Sequence, residues 1–213
     1  MKKDPLARQT RKGCKCNLSY QEMNAVKYPL FPLSAHLLPG GRMALRIFEP
    51  RYVRMIKEAC ASNSGFVLCM LDAKGDKASN QHILPRGTYA EVIDFTTLED
   101  GLLGVTVAGL YGVSVDNIET ESDGLRIGEC QKVEPWECQI SGDDILPMKE
   151  KLGEIFEMYP EIASLYDAPS FTDPIWVLNR WLELIPVDAR TKQEFLNQKD
   201  CRKVLNYLTE LVS

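Results

Sequence analysis

The hydrophobic pattern of the chain changes its period part-way along the sequence. Between about residues 28 and 136, apolar residues alternate with smaller or polar ones, as at Leu103, Val105 and Val107. This period of two is typical of half-buried β-strands. Turn residues separate the strands, and Glu99-Asp100-Gly101 predicts a three-residue hairpin turn with the glycine in the left-handed conformation. Closely spaced antiparallel strands of this kind indicate a small curled sheet or barrel.

One helix is predicted inside this strand-rich region. Pro50 suits the first helical position, where its missing N–H costs nothing. Tyr52, Ile56, Ala59 and Cys60 then fall on one helical face. We therefore expect the helix to pack this face, including Cys60, against the strands.

After about residue 140 the apolar residues recur with the period of an α-helix. Three apolar stripes are present: Ile145, Met148, Leu152, Ile155, Phe156 and Tyr159; Ile175, Leu178, Leu182 and Ile185; Val204, Leu208 and Leu211. Aspartates stand at the predicted helix starts, where they can cap the helix or favour its dipole: Asp143, Asp173, Asp188 and Asp200. The sequence therefore predicts a C-terminal α-helical bundle.

The two periods predict an α+β fold in three segments. Residues 1–26 form a basic extension, which we expect to be flexible and, up to about residue 24, dispensable for folding. Residues 27–138 form the β-rich part, and residues 139–213 form the helical part. The connection near residue 138 is short and polar, so the two parts are expected to pack together.

Charge is distributed unevenly along the chain. Residues 1–27 hold seven Lys or Arg and only two acids, whereas the remainder holds 18 basic and 28 acidic residues. An acidic body disfavours nucleic acid, because phosphate backbones are bound through clustered Lys and Arg. The longest apolar run, at residues 65–71, is far shorter than the roughly 20 residues of a membrane helix. With no recognisable secretory signal, we expect no membrane association and a cytoplasmic location.

The cysteines and histidines predict no metal site. The chain has seven cysteines and no C-x-x-C pair, so we expect reduced thiols rather than a disulfide framework. Cys69, like Cys60, lies among apolar residues and is predicted to be buried. Cys14 and Cys16 form a lone C-x-C, which is a weak metal signal without a second pair.

We find no arrangement of residues that predicts catalysis. The chain contains no P-loop, no G-x-S-x-G and no H-E-x-x-H motif. His36 and His82 fall in predicted loops, where an exposed histidine is the common case. Asp143-Asp144 form a carboxylate pair, but their place at a helix start explains them. We therefore predict no catalytic residue, no cofactor and no metal.

Several motifs in order resemble the N-terminal substrate-binding domain family of Lon proteases. The motif segments span residues 28–52, 87–95, 98–104, 181–186 and 192–196. The most specific sub-motif is Leu-Arg-Ile-Phe-Glu-Pro-Arg-Tyr, which includes Arg46, Phe48, Glu49, Pro50, Arg51 and Tyr52. We interpret these six residues as structural, with Glu49 capping the helix and Arg51 joining strand to helix.

The resemblance implies both a fold and a function. The implied fold is a mainly antiparallel β pseudo-barrel, related to PUA-like domains and carrying one inserted helix, followed by a C-terminal helical bundle. The implied function is selection of unfolded or tagged polypeptides, without the ATPase and peptidase of full-length Lon. We therefore expect a non-catalytic module that binds unfolded polypeptides or a protein partner. Two alternatives are a PUA-like RNA-binding protein and an uncharacterised hydrolase.

Apolar residues in predicted turns are the candidate binding residues. Leu37, Leu38 and Pro39 share one loop, and Leu98 and Leu102 flank the hairpin tip. If these loops converge and are exposed, they form an apolar patch for extended chains. The alternative is that they plug the ends of the barrel, and strand addition at an open edge is a third possibility.

The chain departs from the family pattern at two places. Gly109-Leu110-Tyr111-Gly112-Val113 lacks the arginine that relatives usually carry after the Gly-Leu step. His36 stands where the family tends to have an apolar residue. The first departure means that a role of that arginine in the family does not carry over to this chain, and the second predicts a more polar loop at Leu37.

Overall fold

The structure, a computed structural model, describes residues 25–212. In chain order its elements are β1 (Val26–Leu33), β2 (Arg42–Ile47), α1 (Pro50–Ser62), β3 (Phe66–Leu71), β4 (Ile83–Thr97), β5 (Leu103–Thr120), β6 (Arg126–Lys132), α2 (Leu146–Met158), α3 (Pro160–Ala163), α4 (Pro174–Leu184), α5 (Ala189–Leu196) and α6 (Arg202–Val212). The predicted properties of the N-terminal extension, with Cys14 and Cys16, concern residues that lie almost entirely outside this range.

The six strands form one mixed sheet that closes on itself. Their order is β2-β5-β4-β3-β1-β6, and a further pairing between β5 and β6 completes a ring. We call this ring, with β2 attached to β5, the closed sheet. All pairs are antiparallel except β1 with β3, where Leu30 pairs with Val67. This parallel pair was not predicted; it is possible because β2 and α1 supply the crossover between the two strands.

Helix α1 begins at Pro50, as predicted, and ends before Asn63 in the left-handed conformation. It buries Tyr52, Met55 and Ile56 against the inner face of the closed sheet. Cys60 is exposed, so its predicted burial was wrong. The reason is geometric: Cys60 is rotated about one-quarter turn from Ala59 and leaves the apolar stripe.

The buried apolar residues that the structure describes form three packed cores. Two of them lie within the closed sheet, one packed against α1, and the third lies among α2, α4, α5 and α6. Leu38, Met70 and Leu84 come from the strand-rich part but belong to the helical core. The predicted boundary at residue 138 falls between β6 and α2, in a segment without helix or strand. The division into separate domains stays a prediction.

Three of the predicted aspartates accept from a backbone N–H at a helix start through their carboxylates, and Asp143 does not. The Asp173 carboxylate accepts from Ile175 N, and the Asp188 carboxylate accepts from Thr191 N. At α2 the N-cap residue is Ile145, without a side-chain cap, and Asp143 contributes only its carbonyl. The Asp200 carboxylate accepts from Arg202 N at 3.0 Å. Among the described residues, no helix is long and apolar enough to cross a membrane.

The expectation that all thiols are reduced was wrong for one pair. Cys138 and Cys201 form a disulfide across a sequence separation of 63 residues, with Cα atoms 5.9 Å apart. Spacing in the sequence carried no signal of this pairing, because only the tertiary fold brings the β6–α2 connection beside the start of α6. Cys69 is buried as predicted. His82, expected to be exposed, is buried as well.

Candidate functional site

The loop of Leu37, Leu38 and Pro39 is not the exposed apolar loop that we predicted. Leu37 and Leu38 are 4% and 2% exposed, and Pro39 is half-buried. Leu37 packs into the core of the closed sheet, whereas Leu38 packs into the helical core. The alternative of an internal plug therefore describes the two leucines, because the loop lies at the seam between two cores.

Hydrogen bonds hold this loop in place from both sides. The Thr88 hydroxyl donates to the Leu37 carbonyl at 2.7 Å, and Leu38 N donates to the Glu183 carboxylate at 2.6 Å. Trp176 Nε1 donates to the Gly40 carbonyl at 3.0 Å. Gly40 has φ of +78°, and a Cβ there would approach the Trp176 ring to 2.8 Å. The glycine is therefore needed for this close approach.

The predicted convergence of the two loops is also wrong. Gly109 N donates to the Gly41 carbonyl, so the first loop lies beside this point of β5. Leu102 lies seven residues earlier in the chain, which corresponds to about 20 Å along an extended strand. The hairpin turn itself is confirmed, since Gly101 has φ of +79°. Leu98 and Leu102 are half-buried there, and their role in binding stays a prediction.

A different apolar groove lies beside the buried loop, at the junction of the closed sheet with the helices. Its volume is about 280 Å³. It is lined mainly by Leu38, Pro39, Leu110, Tyr111, Trp136 and Ile175. We call it the junction groove. Leu38 and Pro39 of the predicted binding loop are among its lining residues, so two of the predicted site residues do contribute to a concave surface.

A β-bulge explains why Leu110 reaches this groove. Tyr89 pairs with Tyr111 and Ala90 pairs with Gly109, so Leu110 has no partner in β4. The extra residue turns its side chain outward, and Leu110 is 47% exposed. Our sequence reasoning did not place Leu110 or Tyr111 in a site. The available signal was the departure from the family pattern at these positions.

The far wall of the junction groove comes from the connection between β6 and α2. Trp136 packs partly against the helical core. The neighbouring Glu137 N donates to the Lys199 carbonyl at 3.1 Å, and the Cys138–Cys201 disulfide follows directly. These two links fix the position of Trp136. The sequence placed Trp136 at the end of the strand region and predicted no contact with α6.

Polar groups border the groove without forming a catalytic arrangement. Arg86 Nε donates to Asn197 Oδ1 at 2.8 Å, and Lys132 Nζ lies 4.9 Å from the centre of the Tyr111 ring. Burial, together with the neighbouring Tyr28, raises the pKa of Tyr111 to about 12. Tyr111 is therefore neutral at physiological pH and unsuited to act as a base. The chemistry available is apolar contact, with cationic, amide and carboxylate groups at the rim.

Comparison with known proteins identifies the family. Residues 27–213 match the family described as the ATP-dependent protease La (LON) substrate-binding domain. The chain belongs to the Lon substrate-binding domain family. A Lon protease from Heliobacterium modesticaldum is 23% identical over 193 residues. That match covers 87% of this chain but only 23% of the relative, so the chain spans about a quarter of that protein's length.

Solved structures show the same fold. A Lon N-terminal domain protein from Xanthomonas campestris is 25% identical, with a TM-score of 0.62, and the match covers 87% of this chain and 98% of that one. The N-terminal domain of a Lon protease from the Mycobacterium avium complex is 15% identical, with a TM-score of 0.60 and coverage of 88% and 98%. The mixed six-stranded sheet with helices is thus the fold of Lon N-terminal domains.

In this Lon-family chain, the residues of the most specific motif surround the start of α1. Arg51 forms an ion pair with Glu49 at 2.6 Å and donates to the Gly124 carbonyl at 3.0 Å. Arg51 therefore joins α1 to the turn before β6. Glu49 is the N-cap residue but makes no side-chain cap, so its predicted capping bond is absent. Tyr52 stacks on Phe31 with ring centres 4.2 Å apart.

Two other motif residues face outward. Arg46 forms an ion pair with Asp100 of the hairpin turn. Phe48 is 67% exposed and lies before α1. An exposed phenylalanine does not contribute to a core, so the structural interpretation of Phe48 has no support in its packing.

Proposed function

We propose that this protein is a non-catalytic recognition module that binds segments of other polypeptides in the junction groove. The observation that carries the proposal is a preformed apolar concavity with two partly exposed walls, at Leu110 and Trp136, in a member of a substrate-binding family. Ligand sites are typically concave, apolar and bordered by a few polar groups. The groove has this composition.

The size of the groove limits what it can hold. Small-molecule sites commonly enclose roughly 300–1,000 Å³, and this groove, at about 280 Å³, is slightly smaller than that range. It suits one or two apolar side chains of an extended segment rather than a whole helix. Weak, side-chain-level recognition of this kind fits unfolded chains, which expose many such side chains. The rim carries charges of both signs, Arg86 and Lys132 with Glu134.

Several finer features belong to the same proposal. We interpret the closed sheet as a PUA-like pseudo-barrel and α2 to α6 as a helical bundle. The partners would be unfolded polypeptides or one protein partner, without a cofactor, in the cytoplasm. Any ATPase or protease would act as a separate partner or domain. No specific observation on the described residues favours the alternatives of RNA binding or hydrolysis.

The test compares two exposed apolar residues on different surfaces. Leu110→Ser should weaken binding of a permanently unfolded protein, reduced and carboxymethylated, at least fivefold in fluorescence anisotropy. The matched control is Phe48→Ser, which removes an equally apolar and more exposed side chain near α1. Both variants should keep the wild-type melting temperature within a few degrees, because neither side chain is buried.

The opposite pattern would reject the groove. If Leu110→Ser binds the unfolded protein as tightly as the wild type, the junction groove is not the binding site. If Phe48→Ser alone weakens binding, the surface at α1 takes its place. No binding by the wild-type protein at any concentration tested would reject polypeptide recognition itself.

A further inference from the structure

A second cleft lies on the other side of the buried loop from the junction groove. It runs between β2, the segment after α3, and the start of α5, and its volume is about 630 Å³. Its polar lining includes His36, Arg42, Tyr166, Arg180, Glu183 and Lys192. Its apolar lining includes Met43, Ile162, Leu184 and Ile185. We call it the cationic cleft.

Two buried cations share one buried carboxylate at the floor of this cleft. Arg180 and Lys192 are each 2% exposed. The Glu183 carboxylate accepts from Arg180 Nε at 2.6 Å, from Arg180 Nη2 at 2.8 Å and from Leu38 N at 2.6 Å. Three donors, two from Arg180 and one from the loop, thus occupy the Glu183 carboxylate. With both cations protonated and Glu183 ionised, the cluster keeps one positive charge in excess. Burial raises the pKa of Glu183, and the charge of Arg180 opposes this rise.

Hydrogen-bond donors in the cluster are left unused. Lys192 Nζ can donate three hydrogen bonds and makes one, to the Glu183 carbonyl at 3.3 Å. Arg180 Nη1 is also buried without a hydrogen-bond partner among the described residues, but it lies on the Gly40 side of the guanidinium, away from Glu183. Buried charged groups are normally paired, because desolvation without a partner is costly. The floor of the cleft therefore lacks an acceptor.

The neighbouring residues do not supply this acceptor. Asp167 pairs with Arg42 at 3.1 Å, and its side chain is 93% exposed. Glu161 lines the cleft but is exposed. His36 carries no charge at pH 7, because burial and then the nearby Lys192 lower its pKa to about 4. Burial lowers the pKa of Lys192 to about 8, so at pH 7 the lysine is still largely charged.

We propose that the cationic cleft binds a carboxylate group, with the Lys192 ammonium group as its donor. One negative charge balances the excess positive charge and provides the missing acceptor. The apolar wall of Met43, Ile162 and Ile185 suits an apolar group next to the carboxylate. Two sources carry this chemistry: the C-terminal carboxylate of a polypeptide that ends in an apolar residue, and a small free branched-chain acid.

The polypeptide source rests on the proposed function, since it adds recognition of a chain end to recognition of internal apolar side chains. The two sites are separate, because the buried loop and α4 lie between them. The junction groove is tested by Leu110 and the cationic cleft by Lys192, so that the failure of one proposal is distinguishable from the failure of the other.

The experiment uses peptide twins and calorimetry on the full chain. One eight-residue peptide without acidic side chains ends in leucine with a free carboxylate, and its twin ends in the leucine amide. Wild-type protein should bind the acid at least tenfold more tightly than the amide. A third arm titrates 3-methylbutanoate, which carries the same group without a peptide. Binding of this acid alone supports the site and assigns it to small acids.

Variants test whether Lys192 is responsible. Lys192→Met keeps much of the side-chain volume and removes the charge, and it should abolish the preference for the acid. The control is Lys57→Met on α1, an exposed lysine remote from the cleft, which should keep the preference. Equal binding of acid and amide by the wild type, without binding of 3-methylbutanoate, overturns the proposal. So does a preference that persists in Lys192→Met.

Two further measurements keep these outcomes interpretable. Melting temperatures show whether Lys192→Met folds. If it does not fold, the affinities of the wild-type protein for the peptide acid and the peptide amide still decide whether the cleft binds a carboxylate. Binding of the unfolded protein, and its loss in Leu110→Ser, reports on the junction groove alone. Intact groove binding with no acid preference rejects only the cationic cleft.

Discussion

At the scale of single residues, the most unusual feature is a buried lysine. Lys192 is 2% exposed, yet it carries an ammonium group, which interacts electrostatically with Glu183 and with the neutral His36. Its pKa is lowered from the ordinary value of 10.5 to about 8, mainly by burial. The folded state therefore binds the lysine proton less strongly than the unfolded state does.

This shift predicts how stability depends on pH. Below pH 8 the protein bears the full cost of the buried charge, and the cost declines as pH rises from about 8 to 10.5. Lys192→Met should raise the free energy of unfolding by on the order of 1–3 kcal/mol at pH 7. The gain should shrink as pH rises from about 8 to 10.5, and little of it should remain at pH 10. Urea titrations of the wild type and Lys192→Met at pH 7 and pH 10 measure this gain in stability. A gain that grows with pH would contradict the lowered pKa of Lys192.

At the scale of elements, the connection between β6 and α2 is held to the start of α6 by the Glu137–Lys199 hydrogen bond and the Cys138–Cys201 disulfide. It has no helix or strand between residues 133 and 142, yet it supplies Trp136 to the junction groove. The disulfide of Cys138 with Cys201 closes a long loop that contains α2 to α5. Closing such a loop lowers the conformational entropy of the unfolded chain. The same bond holds the groove wall at Trp136 in place.

Loss of this disulfide should be visible in stability. Cys138→Ser should lower the free energy of unfolding by about 2–4 kcal/mol, the usual effect for a loop of this length. Cys138 is the better choice because it is half-buried, whereas Cys201 is fully buried and its replacement would disturb packing. The control is Cys60→Ser, at an exposed free thiol. The protein is unfolded without a reducing agent and treated with an alkylating reagent. If Cys138 and Cys201 are both alkylated, the disulfide is absent.

At the scale of the whole molecule, the buried loop contributes to the cores of both the sheet and the helices. Leu37 enters one core and Leu38 the other, while Arg180 Nη2 donates to the carbonyls of Leu38 and Pro39 at 3.1 and 3.2 Å. Neither core can lose its structure without exposing the loop. We therefore expect the described part of the chain to unfold in one cooperative transition.

A pair of leucine variants tests this coupling. Leu38→Ala should cost about 2–5 kcal/mol and move the whole transition, in far-ultraviolet and near-ultraviolet circular dichroism alike. Leu102→Ala, at a half-buried position on the hairpin, should cost less than about 1 kcal/mol. Two separate transitions, with only the second one sensitive to Leu38→Ala, would show that the sheet and the helices unfold independently.

Local features of this protein were determined by the sequence alone. The period of two predicted the strands, the period of 3.6 predicted the helices, and Pro50, Asp173 and Asp188 marked helix starts that the structure confirms. Gly101 predicted the hairpin turn. These features depend on contacts between residues a few positions apart, which is why they are readable from the chain. The ordered family motifs identified the Lon substrate-binding domain.

The tertiary structure decided what the loops and cysteines do. Leu38 contacts Glu183 across 145 residues, and Cys138 reaches Cys201 across 63. An apolar loop residue has the same local pattern whether it is exposed or covered by a distant helix, so its burial could not be deduced. The junction groove likewise exists only where a bulge, a connection and α4 meet. Burial depends on which distant surfaces pack together, and local periodicity carries no information about that.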